Sequence, residues 1–305
     1  MVSDNKNRLK CDTILRINHS ITFMKNHDAR GTLYVVATPI GNLKDITFRA
    51  IEVLKTVVWI AAEDTRHSSA LMKQYGISTS LKSFHEHNEH QRLKDIEEAL
   101  LQGKDVAIIS DAGTPLISDP GYILVQTLSE KGFKISPLPG PCAAIAALSC
   151  SGLPTEAFLF KGFLPAKTAG RCAQLEMCQQ ETATLVFYEA PHRLLDTLTD
   201  MIKVLGEDRF AVIAREITKT FEQFQRGSLL SLLDYFKAHE EQCRGEIVIC
   251  IAGAPAKKTS EINAEKILKI LLTELPIKKA AALASEITGL RKNELYQLAL
   301  KLGAA

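Results

Sequence analysis

The densest concentration of residues able to hold a small polar ligand is Ser110–Gly121, SDAGTPLISDPG. Asp, Ser and Thr alternate there with glycine and proline, which shape an irregular loop and let backbone come close to a ligand. Four more polar clusters share this character: Thr38–Asn42 (TPIGN), Glu63–Arg66 (EDTR), Glu189–Arg193 (EAPHR) and Arg215-Glu216. Each follows a short apolar run, so each sits where a predicted strand ends, the place where open α/β sheets bind ligands. One such cluster is an ordinary strand-to-helix connection with capping residues. Five of them, spread over two halves of the chain, predict a cleft between the halves.

The clusters offer several kinds of contact. Glu63, Asp64 and Arg66 form a carboxylate–guanidinium group, suited either to chemistry or to structural ion pairing. Pro139-Gly-Pro-Cys-Ala-Ala144 starts a helix whose first amides have no partner within the helix. Such amides suit a carboxylate or a flat ring, and the alanines suit tight packing. Pro191 begins another helix, placing His192 and Arg193 near its positive end, where an anion would be stabilised. Lys161, Lys167 and Arg171 read as phosphate contacts or as a solvated loop. His85, His87 and His90 lack a compact set of partner ligands, so no metal is expected. Neither G-x-G-x-x-G nor G-x-x-x-x-G-K-[ST] occurs, which argues against a standard dinucleotide enzyme or P-loop NTPase.

The elements that must position these clusters follow from the apolar pattern. Strands are predicted at 33–37, 57–62, 106–109 and 133–136, separated by helices over 45–55, 67–75, about 90–101 and 121–131, with a further helix from 142. This alternation predicts a mostly parallel sheet covered on both faces. Ser151-Gly-Leu-Pro154 marks a boundary. Beyond it, strands at 158–163, 184–188, 210–214 and 246–252 alternate with helices near 168–181, 192–205 and 228–239. The remainder is helical, about 263–274, 277–287 and 291–302. Its last two helices fit a helix-turn-helix or a small packing bundle equally well. The expected organisation is a poorly ordered extension (1–30), an α/β domain (31–150), a second α/β domain (151–254) and a helical tail (255–305). Met24 is a candidate native start.

Composition sets outer bounds. The 305 residues include seven cysteines, none in a C-x-x-C pair, which points to a reducing compartment such as the cytosol. No apolar run reaches the ~18 residues of a membrane span. Net charge is +2, unevenly spread: 1–30 carry six Lys/Arg against three Asp, and 257–305 carry nine against five Glu. The acidic body between these basic ends is compatible with an RNA partner.

Taken in order, GTLYVVATPIGNLKDITFRA, AEDTR, SDAGTPLISDPG, PLPGPCA, KGFLP, EAPHR and the ARE-T-K-FE pattern run from Gly31 to Glu222. They resemble the ribosomal RNA small subunit methyltransferase I family of the tetrapyrrole methylase superfamily. That resemblance extends through the helical tail. It implies a cytoplasmic homodimer of two α/β domains with S-adenosyl-L-methionine in the cleft between them. It also implies 2′-O-methylation of a cytidine ribose in the decoding region of 16S ribosomal RNA in the small subunit. Cofactor contacts implied on this sequence are Pro39, Ile40, Gly41, Asp111, Ala112, Gly113, Ser118, Cys142, Ala143 and Tyr188. Tetrapyrrole-modifying relatives carry a G-x-G-x-G-D loop where this chain has Thr38–Asn42, which favours the RNA branch. Cys142 stands where the family usually has serine.

Ribose methylation needs an acceptor for the hydroxyl proton and groups that position phosphate. Glu63, Asp64, Glu189 and Glu216 are the candidate acceptors, and Arg66, Arg193 and Arg215 the candidate phosphate contacts. A small-molecule methyltransferase and a non-catalytic RNA-binding protein are the competing readings. The missing glycine-rich loop and the basic tail count against the first, and the cleft motifs count against the second.

Overall fold

The computed structural model describes residues 30–255 and 259–303; the amino-terminal extension and Met24 lie outside them. The first half alternates strand and helix: β1 (Thr32–Val36), α1 (Phe48–Thr56), β2 (Trp59–Ala62), α2 (Thr65–Gln74), β3 (Leu81–Ser83), α3 (Glu89–Leu101), β4 (Val106–Ile109), α4 (Tyr122–Glu130), β5 (Lys134–Leu138) and α5 (Ala143–Ser151). The strands form an all-parallel sheet in the order β3-β2-β4-β1-β5. Alternation along β4 shows why both faces must be covered. Val106 and Ile108 enter one apolar cluster with Leu124 and Leu128 of α4. Ala107 and Ile109 enter another with Ala50 and Leu54 of α1. Burying one Val, Leu or Ile side chain contributes roughly 1.5–3 kcal/mol, so the apolar run VAII is stable only when sandwiched.

This arrangement also creates the crevice. The β1-to-β2 connection crosses on the α1 face, and the β4-to-β5 connection crosses on the α4 face. β1 and β4 are neighbours, so their carboxyl ends part at a topological switch point.

The second half comprises β6 (Phe158–Phe163), α6 (Thr168–Glu176), β7 (Thr184–Glu189), α7 (Leu194–Leu205), β8 (Phe210–Arg215), β9 (Gln223–Ser228), α8 (Leu229–Ala238) and β10 (Ile247–Ile251). Its sheet has the order β6-β7-β10-β8-β9, and only the β6–β7 pair is parallel. Helices α6, α7 and α8 cover one face. The other face packs on α5 of the first half, where Ala144, Ala147 and Leu148 meet Val186, Val212, Val248 and Cys250. The small side chains let α5 lie close against the sheet, which joins the two halves.

The tail folds as α9 (Thr259–Leu272), α10 (Ile277–Thr288) and α11 (Lys292–Gly303) around an apolar cluster of its own, including Leu268, Ala281, Ala284 and Leu295. Among the described residues no helix is long and apolar enough to cross a membrane.

Two strands escape the sequence pattern. β3 is only three residues long, and β9 reads QFQRGS. Both are edge strands, so neither needs the apolar alternation by which a strand is recognised.

Candidate functional site

The crevice above β1 and β4 is built by backbone first. Thr38 and Gly113 pair across it, with N–H to carbonyl distances of 2.8 and 3.0 Å. The Thr38 hydroxyl donates to the Ser110 carbonyl at 3.2 Å, and the Thr114 hydroxyl to the Pro141 carbonyl at 3.0 Å. These bonds tie the loops after β1, β4 and β5 together. Within the middle loop Leu116 and Ser118 hold φ of 72° and 74°. Non-glycine residues rarely adopt this region, and such strain clusters at ligand sites.

The second sheet closes the crevice into a cavity of ≈ 440 Å³. Tyr188 and Glu189 from the end of β7 reach it, as do residues 245–248 at the start of β10. The Tyr188 hydroxyl accepts from the Ala144 N–H at 3.3 Å, and the ring meets Phe160 and Phe163 edge-on at 4.9 and 5.6 Å. Burial, with Cys142 alongside, pushes the Tyr188 phenol above its usual range. It therefore remains a neutral, flat, half-buried wall.

The cavity is acidic: Glu63, Asp111, Asp119, Glu189 and Glu246 line it, and among the described residues no Lys or Arg does. Burial, then the Asp111 charge, raises the Glu63 carboxyl above its ordinary value. Burial, then Glu63 and Asp111, raises Asp119 to about 6, with a Ser110 hydrogen bond opposing. Like charges in a partly desolvated space resist joint ionisation. The site is electrostatically prepared for a cation or for a proton.

Of the ten residues anticipated as cofactor contacts, eight line the cavity: Ile40, Asp111, Ala112, Gly113, Ser118, Cys142, Ala143 and Tyr188. Pro39 and Gly41 do not. Gly41 meets the second half instead: a Cβ there would lie 2.5 Å from Lys219 Cγ and 2.8 Å from Thr218 Oγ1. The neighbouring Asn42 N–H donates to Thr218 Oγ1 at 3.0 Å. Only glycine allows the two halves to approach this closely here.

The residues anticipated for chemistry separate. Glu63 and Glu189 line the cavity. Glu189 is fully engaged: Oε1 accepts from the Ala190 N–H at 2.7 Å, Oε2 accepts from the Thr197 hydroxyl at 2.6 Å, and Arg193 Nε lies 3.2 Å away. Arg193 Nη2 donates to the carbonyls of Leu164 and Pro165 at 2.6 and 3.1 Å, fastening the start of α7 to the loop between β6 and α6. Asp64 and Arg66 pair with each other at 2.7 Å, with the arginine 89% exposed. Side-chain and backbone bonds from Arg66 hold the Asp64 carboxyl well below the usual carboxylate range. Arg215 and Glu216 line an adjoining groove rather than the cavity. Arg171, read as a possible phosphate contact, is instead buried against Asp200 at 2.6 Å. Among the described residues no group of three or more His, Cys, Asp or Glu could hold a metal ion.

Sequence reasoning missed Asp119, Phe163, Ile217 and residues 245–248. Asp119 lies within the loop singled out, yet the following proline marks it as a turn residue. The 245–248 segment escapes for a topological reason. β10 runs antiparallel to β7 and β8, so its amino end is the one that reaches the cleft.

Residues 32–233 match the family described as Tetrapyrrole (Corrin/Porphyrin) Methylases, and residues 258–303 match the RsmI C-terminal HTH domain. The chain is 55% identical over 274 residues to the ribosomal RNA small subunit methyltransferase I of Pseudomonas aeruginosa, covering 89% of this chain and 97% of that one. It is 50% identical over 283 residues to the protein of the same name from Escherichia coli, covering 91% and 99%. Among solved structures, the methyltransferase CobJ aligns with a TM-score of 0.56 at 18% identity, covering 73% of this chain and 95% of that one. Diphthine synthase aligns with a TM-score of 0.56 at 14% identity, covering 73% and 90%. At these identities the structural likeness shows the fold.

Proposed function

Because the chain belongs to the ribosomal RNA small subunit methyltransferase I family of tetrapyrrole methylases, we propose that it methylates the ribose 2′-hydroxyl of a cytidine in the decoding region of 16S ribosomal RNA, with S-adenosyl-L-methionine as donor. The observation that carries this reading is the cavity at the switch point, acidic and without Lys or Arg among the described residues, with a flat phenol wall. Its residues fit a cationic, ring-bearing cofactor. Ile40, Ala112, Gly113, Cys142, Ala143 and Tyr188 supply apolar and small surface, and Asp111 and Ser118 supply polar contacts. When bound, the cofactor supplies a methyl group activated by positively charged sulfur.

The chain's own task is to exclude water, place the hydroxyl and receive its proton. Of the four acceptors read from sequence, Glu63 keeps that role. Asp64 is committed to Arg66, Glu189 to its helix start and Glu216 to Lys219. Asp119 joins Glu63, since its raised proton affinity matches a group working near neutral pH. Such a base contributes typically ~10²–10⁴-fold. Arg66 and Arg215 remain candidates for phosphate. On this reading residues 31–150 and 151–254 are the methylase domains and 255–305 an RNA-gripping tail. The working form is a cytoplasmic homodimer, and sedimentation tests the dimer.

The experiment is transfer of radiolabelled methyl to purified small ribosomal subunits lacking their own modification, with naked RNA in parallel. Label in a single cytidine, resistant to alkaline cleavage on its 3′ side, is the expected result. No label on either substrate, with cofactor binding intact, refutes the proposal.

A further inference from the structure

A groove of ≈ 670 Å³ adjoins the cavity, and Gly245 belongs to the walls of both. The groove is formed by the end of β8, the 217–222 connection and the turn preceding β10. Gly245 holds φ of 81°, and a Cβ there would collide with the Glu216 carboxylate. Gly245, with the Glu216 carboxylate packed against it, thus stands between cavity and groove.

The 217–222 connection is held in an unusual shape. Glu216 and Thr218 take φ of 52° and 66°, in a region that non-glycine residues seldom occupy. The shape is fixed by bonds at both ends. Glu216 Oε1 accepts from Lys219 Nζ at 2.9 Å and from the Glu246 N–H at 3.0 Å. Glu222 Oε2 accepts from the Thr218 N–H at 2.7 Å. The result is to hold the Phe221 ring out in solvent, 70% exposed. The ring shares its groove with two arginines, Arg215 and Arg244, and that company, not its exposure, makes it a candidate contact.

Two arginines line the same groove as the ring. Arg215 Nε donates to Gln223 Oε1 at 3.3 Å and Nη1 donates to the Arg244 carbonyl at 3.3 Å, which holds the guanidinium along the groove. Gln223 is itself braced by Tyr235, whose hydroxyl donates to Gln242 Oε1 at 2.9 Å. Arg244 is exposed and has no ion pair among the described residues. Of the groove's three carboxylates, Glu216 is paired with Lys219, Glu222 accepts the Thr218 N–H while staying exposed, and Glu241 is exposed. An exposed aromatic ring in a groove that also carries guanidinium groups is how proteins hold unpaired nucleotides, by stacking and phosphate contact.

We propose that this groove binds the RNA nucleotide next to the one whose ribose enters the cavity, with its base stacked on Phe221 and its phosphate held by Arg215 and Arg244. The inference rests on the ribosomal RNA reading above. It adds a site for the flanking residue, which would splay the target nucleotide toward Glu63 and Asp119.

The test compares wild type with F221A, F221W and F221L, using small subunits lacking the modification. F221A is expected to raise the KM for subunits by at least about fivefold. F221W restores it and F221L does not, while cofactor Kd and melting temperature stay at wild-type values. R244Q raises the same KM and reduces its salt dependence. An unchanged KM in F221A, or equal rescue by leucine, overturns the stacking site. A photo-crosslinking residue at 221 separates partners: a crosslink to rRNA beside the methylated cytidine supports the proposal, and a crosslink to ribosomal protein alone overturns it. Wild-type enzyme that leaves subunits unlabelled refutes the functional reading itself, before any variant is compared.

Discussion

Replacing Asp119 by asparagine should stabilise the ligand-free protein near neutral pH while impairing methyl transfer. Burial and the nearby Glu63 and Asp111 carboxylates hold this group at about 6, whereas an aspartate in the unfolded chain titrates near about 3.9. The folded state thus binds the proton more tightly. Stability from this group is greatest below the unfolded value and is lost as pH rises through about 6. Two pH units at 1.36 kcal/mol each set a ceiling of about 3 kcal/mol. Asp119 is only half-buried, so solvent screening reduces this to about 1–1.5 kcal/mol. Asparagine has nearly the same shape and carries no charge. At pH 7.5 D119N should therefore melt about 2–5 °C above wild type, with roughly half that gain at pH 5, where the wild-type group is mostly protonated. The same variant should lose about 10²-fold or more in single-turnover methyl transfer if Asp119 receives the hydroxyl proton. Paired thermal melts at the two pH values, without cofactor, are the assay. A variant that melts at or below wild type at pH 7.5, or a gain that does not shrink at pH 5, refutes the electrostatic reasoning whatever the activity shows.

Other substitutions test other parts of the structure. Arg171 and Asp200 are 3% and 9% exposed and 2.6 Å apart; R171M alone should destabilise by about 3–5 kcal/mol in urea unfolding, and R171M with D200L should recover most of the loss. G41A would force a Cβ against Lys219 and Thr218, and calorimetric titration should show weaker cofactor binding with about 1–3 kcal/mol lost overall. Deleting 257–305 removes a tail with its own apolar core; filter binding should then show subunit affinity falling about tenfold or more, steepest at low salt, with cofactor affinity unchanged.

Much of this architecture was legible because the parallel sheet of the first half leaves continuous apolar runs such as VVWIAA and VAII, each followed by polar residues. A strand buried on both faces cannot be written otherwise. The second half was harder to read. β9 lies at an edge and packs mainly through Phe224, so QFQRGS carries no period of two. The cavity was legible from the first half's strand ends but not from β10, whose direction is set by pairing with β7 and β8. Charged residues were the least legible. Arg66, Arg171 and Arg193 are equivalent in sequence, yet one is exposed on a local ion pair, one is buried on Asp200 and one clamps two carbonyls. The partner of a long side chain is a property of packing, and spacing along the chain does not encode it.

The distribution of charge resolves an apparent contradiction in the proposed activity. A cavity lined by Glu63, Asp111 and Asp119 repels a polyanion, yet its proposed substrate is RNA. The two demands are met in different places. Carboxylates deep in the crevice act over a few ångströms, where desolvation strengthens them, on a cationic donor and a departing proton. Basic groups act at the surface, where attraction to phosphate reaches about 8–10 Å at moderate salt. Residues 257–305 hold nine Lys/Arg against five Glu, and Arg215 and Arg244 line the groove that adjoins the cavity at Gly245. Only the ribose needs to enter the acidic space, and a ribose hydroxyl is neutral. The phosphates on either side can remain outside with the arginines, so an acidic centre serves a ribose methyltransferase better than it would an enzyme that must enclose a phosphate.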